Sequence, residues 1–193
     1  MAEQYPPSMS HVQQLIHSRR SVRRWLDKPV ERSKINLCLE AARLAPSAEN
    51  VQPWRFLVMD DPLVIEPFSR HVFNGIYSMT RFAAKAPVLV LVLGRLDFLA
   101  NRLAKQIQDV RYYLIDIGIA GEHFVLQAEE QGLGTCWIGW FDMKKARKFF
   151  GLPRSYKVVS LLALGYPDKT SDARPKKRRE FNEIVWYNRY EKR

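Results

Sequence analysis

The chain has 193 residues, 47% of them hydrophobic and 12% aromatic, with a formal net charge of +11. That length suits one domain with ample core material, and the longest unbroken apolar run, from Ala86 to Leu93, is under half of the ~20 residues a membrane-spanning helix needs. The two cysteines, Cys38 and Cys136, lack a Cys-x-x-Cys pattern or clustered histidines, which speaks against structural zinc and for two buried thiols acting as small apolar groups.

The residues before Ser10 include Pro6 and Pro7 but no apolar stretch, so neither a signal peptide nor an anchor is read there and a cytoplasmic protein is expected. Ser10 caps a predicted first helix with Val12, Leu15 and Ile16 on one face. The helix runs into Arg19-Arg20-Ser21-Val22-Arg23, where planar guanidinium forks and a hydroxyl suit phosphate oxygens. Helices offer anions their N-termini, so at this end side chains must do the holding. After Pro29, residues 31–45 place Ile35, Leu39, Ala42 and Ala45 at helical spacing, and Pro46 ends the run. The loop that follows is small, polar and stiffened by Pro46 and Pro53, with Ser47, Asn50 and Gln52 able to hydrogen-bond. By itself it reads as a plain helix-to-strand connection.

Trp54 to Met59 is a predicted strand, broken by Asp60-Asp61-Pro62. Residues 62–85 have mixed helical character with a break near Asn74-Gly75, and Pro87 to Leu93 is a strand buried on both faces and closed by Gly94. The segment from Gly94 to Asp109 lacks a clear period and reads as a variable lid. Residues 111–131 form the expected central helix, with Tyr113, Ile117, Ala120, Phe124 and Ala128 on one face. Gly118, Ala120 and Gly121 predict close helix packing there. Gly132 and Gly134 end it before a strand from Thr135 to Ile138. Gly139-Trp140-Phe141 turns into a helix over 142–150, capped by Asp142 and stopped by Gly151 and Pro153. Tyr156 to Leu164 is the last core strand. Beyond it lie a basic stretch and then Phe181, Ile184, Val185, Trp186 and Tyr187, too much apolar surface to leave in water, so the tail is expected to pack on a neighbour. No repeat or linker divides the chain. The class is α+β, with helices around about four strands.

Evident catalytic side chains are scarce. His11, His17, His71 and His123 show no metal-ligand spacing, and no nucleophile elbow, Walker lysine or Rossmann fingerprint is present. His123, on the central helix, reads as a satisfied histidine rather than a base. A cofactor carrying the chemistry fits better than a titrating pair. Basic residues gather from Arg19 to Lys34 and from Arg174 to Arg179 and call for an anionic partner. Charge alone would suit a nucleic-acid-binding module, but aromatics are not interleaved with it and no zinc finger or RNA-recognition motif appears, so no nucleic-acid partner is expected.

In combination these stretches resemble the FMN-dependent nitroreductase family over nearly the whole chain. The resemblance is carried by Arg19-Arg20-Ser21-Val22-Arg23, by Ala45-Pro46-Ser47-Ala48-Glu49-Asn50-Val51-Gln52-Pro53-Trp54, and by Gly132-Leu133-Gly134 leading to Ile138-Gly139-Trp140-Phe141-Asp142. Leu164-Gly165-Tyr166-Pro167 and Pro175-Lys176-Lys177-Arg178 complete it. It implies a central mixed, mostly antiparallel sheet surrounded by helices, in a single FMN-binding domain over residues 1–193. Residues 1–9 would be an N-terminal extension and 168–193 a C-terminal arm exchanged in an intertwined homodimer with FMN at the interface. By position, Arg19, Arg20, Ser21 and Arg23, joined by Lys176 and Arg178, would face the FMN phosphate and ribityl chain. Pro46, Ser47 and Asn50 would arrive from the other subunit, and Gly139 and Trp140 would lie at the reactive edge of the flavin, a backbone N–H near N5. No metal and no catalytic side chain are implied.

The resemblance further implies ping-pong chemistry, in which NAD(P)H gives hydride to FMN, leaves, and is replaced by a small electron-poor acceptor such as a nitroaromatic or quinone. Several family members have an acidic residue followed by glycine where this chain has Gly139-Trp140. Contacts made through that acid are therefore not carried over, and Trp140 is expected to narrow the pocket. The lid segment is short, which leaves the acceptor open. Reductive dehalogenation, oxidative flavin fragmentation or flavin holding without turnover are alternatives on the same scaffold.

Overall fold

The computed structural model describes residues 9–95, 110–168 and 176–190. Most of the expected lid, nearly all of the N-terminal extension and Pro175 lie outside them. In chain order the elements are α1 (His11–Ser18), α2 (Arg32–Arg43), β1 (Trp54–Met59), α3 (Pro62–Val72), a 3₁₀ helix (Gly75–Lys85) and β2 (Val88–Arg95). They continue with α4 (Tyr112–Glu130), β3 (Gly134–Ile138), α5 (Met143–Phe149), β4 (Tyr156–Gly165) and α6 (Phe181–Ile184).

Helix starts follow local chemistry. The Ser10 hydroxyl accepts from the Gln13 N–H at 3.3 Å, and the Gln13 side chain accepts from the Ser10 N–H at 2.9 Å, a reciprocal cap. Asp61 accepts from the Leu63 N–H at 2.8 Å with Pro62 opening α3, and Asp142 accepts from the Lys145 N–H at 2.9 Å. Gly132, at φ +71°, ends the central helix in the left-handed region.

The four strands run in the order β1-β2-β4-β3, and every pairing is antiparallel. A parallel component enters only as the bridge between Ser21 and Thr135 among the described residues. β2 alternates its side chains between two cores. Val88, Val90 and Val92 pack with Leu162, Leu164, α2 and α4, whereas Leu89, Leu91 and Leu93 pack with Leu161, Ala163, α3 and α5. With helices over both faces, the apolar run of β2 needs no polar alternation, as its composition implied.

Two expectations about glycines are corrected. Gly94 does not close β2 but lies inside it, paired with Trp54 and Lys157. A Cβ there would come within 3.1 Å of Ile117 and 3.2 Å of Tyr113, so it serves the close approach of α4 to the strand. Gly121 makes room for an indole rather than a helix, since a Cβ would lie 2.1 Å from the Trp137 ring, while a Cβ on Gly118 would meet nothing within 4 Å. Both cysteines are buried, as expected. Burial pushes the Cys38 thiol up to about 12, and it also raises Cys136, with the Arg23 charge pulling the other way.

Candidate functional site

After α1 the chain lies along one end of the sheet. The Val22 N–H donates to the Thr135 carbonyl at 2.8 Å, the Leu26 N–H to the Tyr166 carbonyl at 2.9 Å, and the Asp168 N–H to the Arg24 carbonyl at 3.1 Å. The Trp25 indole N–H donates to the Gly134 carbonyl at 3.0 Å. Residues 21–26 are therefore tied to the start of β3 and the end of β4, which positions the arginines flanking Ser21.

The two basic stretches converge here. Arg19 is the C-cap of α1, and its Nε lies 3.1 Å from Glu122 Oε1 of α4. That nitrogen is buried and, despite the proximity, has no hydrogen bond of acceptable geometry. The Lys176 ammonium donates to the His17 carbonyl, one of the α1 carbonyls without a helical partner. Lys176 titrates below the ordinary lysine value. Loss of solvent is the largest cause, followed by the charges of Arg20, Arg19 and Arg178, with Glu129 acting the other way. Four cations of the expected cradle thus share one locality, with Glu122 and Glu129 as nearby carboxylates. Positive potential around a partly desolvated lysine is chemistry that a phosphate ester relieves.

Arg23 turns elsewhere. Its guanidinium carbon sits 5.9 Å from the centre of the Phe82 ring on the 3₁₀ helix. The same helix holds the Gly139-Trp140 turn. The Trp140 indole N–H donates to the Ile76 carbonyl at 2.9 Å, Thr80 Oγ1 donates to the Trp140 carbonyl at 2.5 Å, and the Tyr77 and Trp140 rings are 5.4 Å apart. Gly139 is exposed, and a Cβ on it would meet nothing within 4 Å. Between Thr135 beside Ser21 and Gly139 beyond the end of β3, four residue steps of strand span ~13 Å. Cations at one end and an open backbone turn beside aromatics at the other match an elongated ligand with an anionic tail and a flat ring.

Among the described residues, Pro46, Ser47 and Asn50 share no hydrogen bond or ion pair with these groups. Their loop is anchored by Asp116, a buried carboxylate on α4 that accepts from the Ala48 N–H at 3.1 Å. Asp116 precedes Glu122 by six positions, ~9 Å along a helix. Glu49, Asn50 and Gln52 all have positive φ, at 50°, 55° and 49°. Ser47 Oγ accepts from the Gln52 N–H, and the Gln52 amide donates to Asn50 Oδ1, both at 2.9 Å. Three non-glycine residues in the left-handed region hold a shape the backbone alone would not choose, a feature associated with functional loops. Sequence reasoning missed Asp116 and Glu122; the signal for Asp116 was a lone carboxylate inside the apolar stripe of the central helix. His123 has a structural contact instead of a catalytic one, its Nδ1 lying 3.3 Å from the Ala41 carbonyl.

Among the described residues no group of three or more His, Cys, Asp or Glu gathers as a metal would require, and no helix is long and apolar enough to cross a membrane. The sequence profile of the nitroreductase family matches residues 16–166. An NADH dehydrogenase of Thermus thermophilus is 30% identical over 77% of this chain and 83% of its own. An iodotyrosine deiodinase of Thermotoga neapolitana is 26% identical over 94% of this chain and 100% of its own. The crystal structure of a nitroreductase family protein from Clostridium difficile superposes with a TM-score of 0.76 at 30% identity, covering 94% of this chain and 100% of that one. Profile and fold agree with each other, and the chain belongs to the nitroreductase family.

Proposed function

We propose that the protein is an FMN-dependent NAD(P)H oxidoreductase acting on a small electron-poor acceptor. The observation that carries this reading is the convergence of Lys176, which donates to the His17 carbonyl, with Arg19, Arg20 and Arg178 at the end of α1, beside the start of β3. FMN, when bound, supplies the two-electron chemistry, accepting hydride from the nicotinamide and passing reducing equivalents on. The protein's part is binding and orientation. Arg19, Arg20, Lys176 and Arg178 would hold the phosphate, the Ser21 hydroxyl would add a hydrogen bond, and Arg23 would serve the ribityl chain. The Gly139-Trp140 backbone would lie by the reactive edge and would offer an N–H there. The space left by the missing Cβ of Gly139 would admit the ring, while Trp140, fixed by Ile76 and Thr80, would wall the acceptor's approach. No side chain needs to titrate.

A homodimer is part of the same proposal. Val12 and Ile16 form the apolar face of α1 yet are 57% and 52% exposed, and Leu114 and Ile115 on α4 are exposed as well. Phe181, Ile184 and Tyr187 of the tail likewise stand in water. A second copy covers such surface, and it brings the partner's loop with Pro46, Ser47 and Asn50 to the flavin. Residues 1–193 act as one domain, with the tail as the exchanged arm.

Purification without added flavin tests the reading. A yellow protein that releases FMN on denaturation and oxidises NADH or NADPH with menadione or a nitrofuran supports it; a colourless protein that takes up no FMN refutes it. The deiodinase relative favours a second reading, reductive dehalogenation, in which an aryl iodide and NAD(P)H give the arene, iodide and NAD(P)⁺. Iodide release from iodotyrosine under anaerobic conditions distinguishes the two.

A further inference from the structure

A cleft of about 550 Å³ opens between the turn at residues 27–29, α3 and the 3₁₀ helix, and none of its lining residues belongs to the flavin proposal. Its size falls within the range of small-molecule sites, roughly 300–1,000 Å³. Pro29, Pro62, Ile65 and Pro87 give it apolar walls.

The polar groups are unevenly matched. Two of the lining carboxylates are engaged: Asp60 takes a two-pronged hydrogen bond from Arg32, at 2.5 and 3.1 Å, and Glu66 is paired with Arg70. The Lys28 ammonium sits 3.9 Å from the centre of the Tyr166 ring. Asp27 also lines the cleft. Arg81 and Lys85 line it from the 3₁₀ helix and make no ion pair among the described residues. Ser69, 6% exposed, lines it from α3, and its buried hydroxyl has no hydrogen-bond partner. Buried polar groups are nearly always satisfied, so an orphan hydroxyl at a cleft asks for a partner from outside the chain.

We propose that this cleft binds a small organic anion with an apolar body, its charge met by Arg81 and Lys85 and a polar group at its other end hydrogen-bonded to Ser69. The proposal is independent of the flavin reading.

The test uses the full chain as purified, titrated with 4-hydroxybenzoate by calorimetry and by amide chemical shifts. Saturable binding with Kd below about 1 mM is expected, with shifts around Ser69 and Ala84. The neutral isostere 4-hydroxybenzamide should bind at least about tenfold more weakly, and Arg81→Gln/Lys85→Gln should cost 4-hydroxybenzoate a similar factor. Ser69→Ala should weaken 4-hydroxybenzoate roughly three- to tenfold while leaving benzoate unchanged. Equal affinity for the amide, an unaffected double variant, shifts confined to the Gly139-Trp140 end, or no saturable binding of any probe would each overturn the proposal. Both substituted cations are exposed, so the double variant is expected to fold, and wild-type shift mapping decides the location without it.

Discussion

Val22 rides directly over Gly134: a Cβ on that glycine would lie 2.5 Å from Val22 Cγ2 and 2.9 Å from its Cβ. The contact, together with the 2.8 Å hydrogen bond from the Val22 N–H to Thr135, seats the arginine segment on β3. Gly134→Ala is therefore expected to cost about 1–3 kcal/mol through overpacking and to displace Arg20 and Arg23. Thermal melts and FMN titration read both effects; unchanged melting would show that the segment shifts freely.

Gly139 is the opposite case. Its Cβ position is open and its φ is not in the left-handed region, so Gly139→Val should leave stability within about 0.5 kcal/mol. Under the flavin proposal the same change fills the space beside the ring, and FMN affinity or turnover should fall at least about tenfold, some 1.4 kcal/mol. A variant that keeps both would move the flavin edge away from this turn.

Lys176 gives a proton signature. In the folded chain it titrates below its ordinary 10.5, so between the depressed value and 10.5 the unfolded chain retains a proton that the folded chain has released. Across that window its contribution makes stability rise with pH. A bound phosphate favours the charged ammonium, so FMN binding within that window should take up protons. Calorimetry in two buffers of different ionisation enthalpy measures the uptake. Proton release instead would contradict a phosphate at this lysine.

The thiols should be silent. With Cys38 pushed up to about 12 and Cys136 raised by burial, neither should react with a disulfide reagent at about pH 8 until the chain unfolds. Rapid labelling of the native protein would show that one of them opens to solvent.

A chain ending at Glu180 keeps Lys176 and Arg178 but loses Phe181, Trp186 and Tyr187. Sedimentation should show a dimer for the full chain and a monomer for the truncated one. A truncated chain that stays dimeric would place the interface on α1 and α4 alone.

What the amino-acid order determined by itself was local: the Ser10 and Asp142 caps, the unbroken apolar strand of β2, the proline-bounded loop and the motifs that placed the chain in its family. Each depends on neighbours a few residues apart, so spacing and side-chain chemistry suffice. Only the tertiary structure decided that Gly94 and Gly121 make room for Ile117 and Trp137, that Asp116 anchors the strained loop, and that Glu122 lies against Arg19 across more than 100 positions. Those relations arise from packing and electrostatics between segments distant in sequence, which no local period encodes.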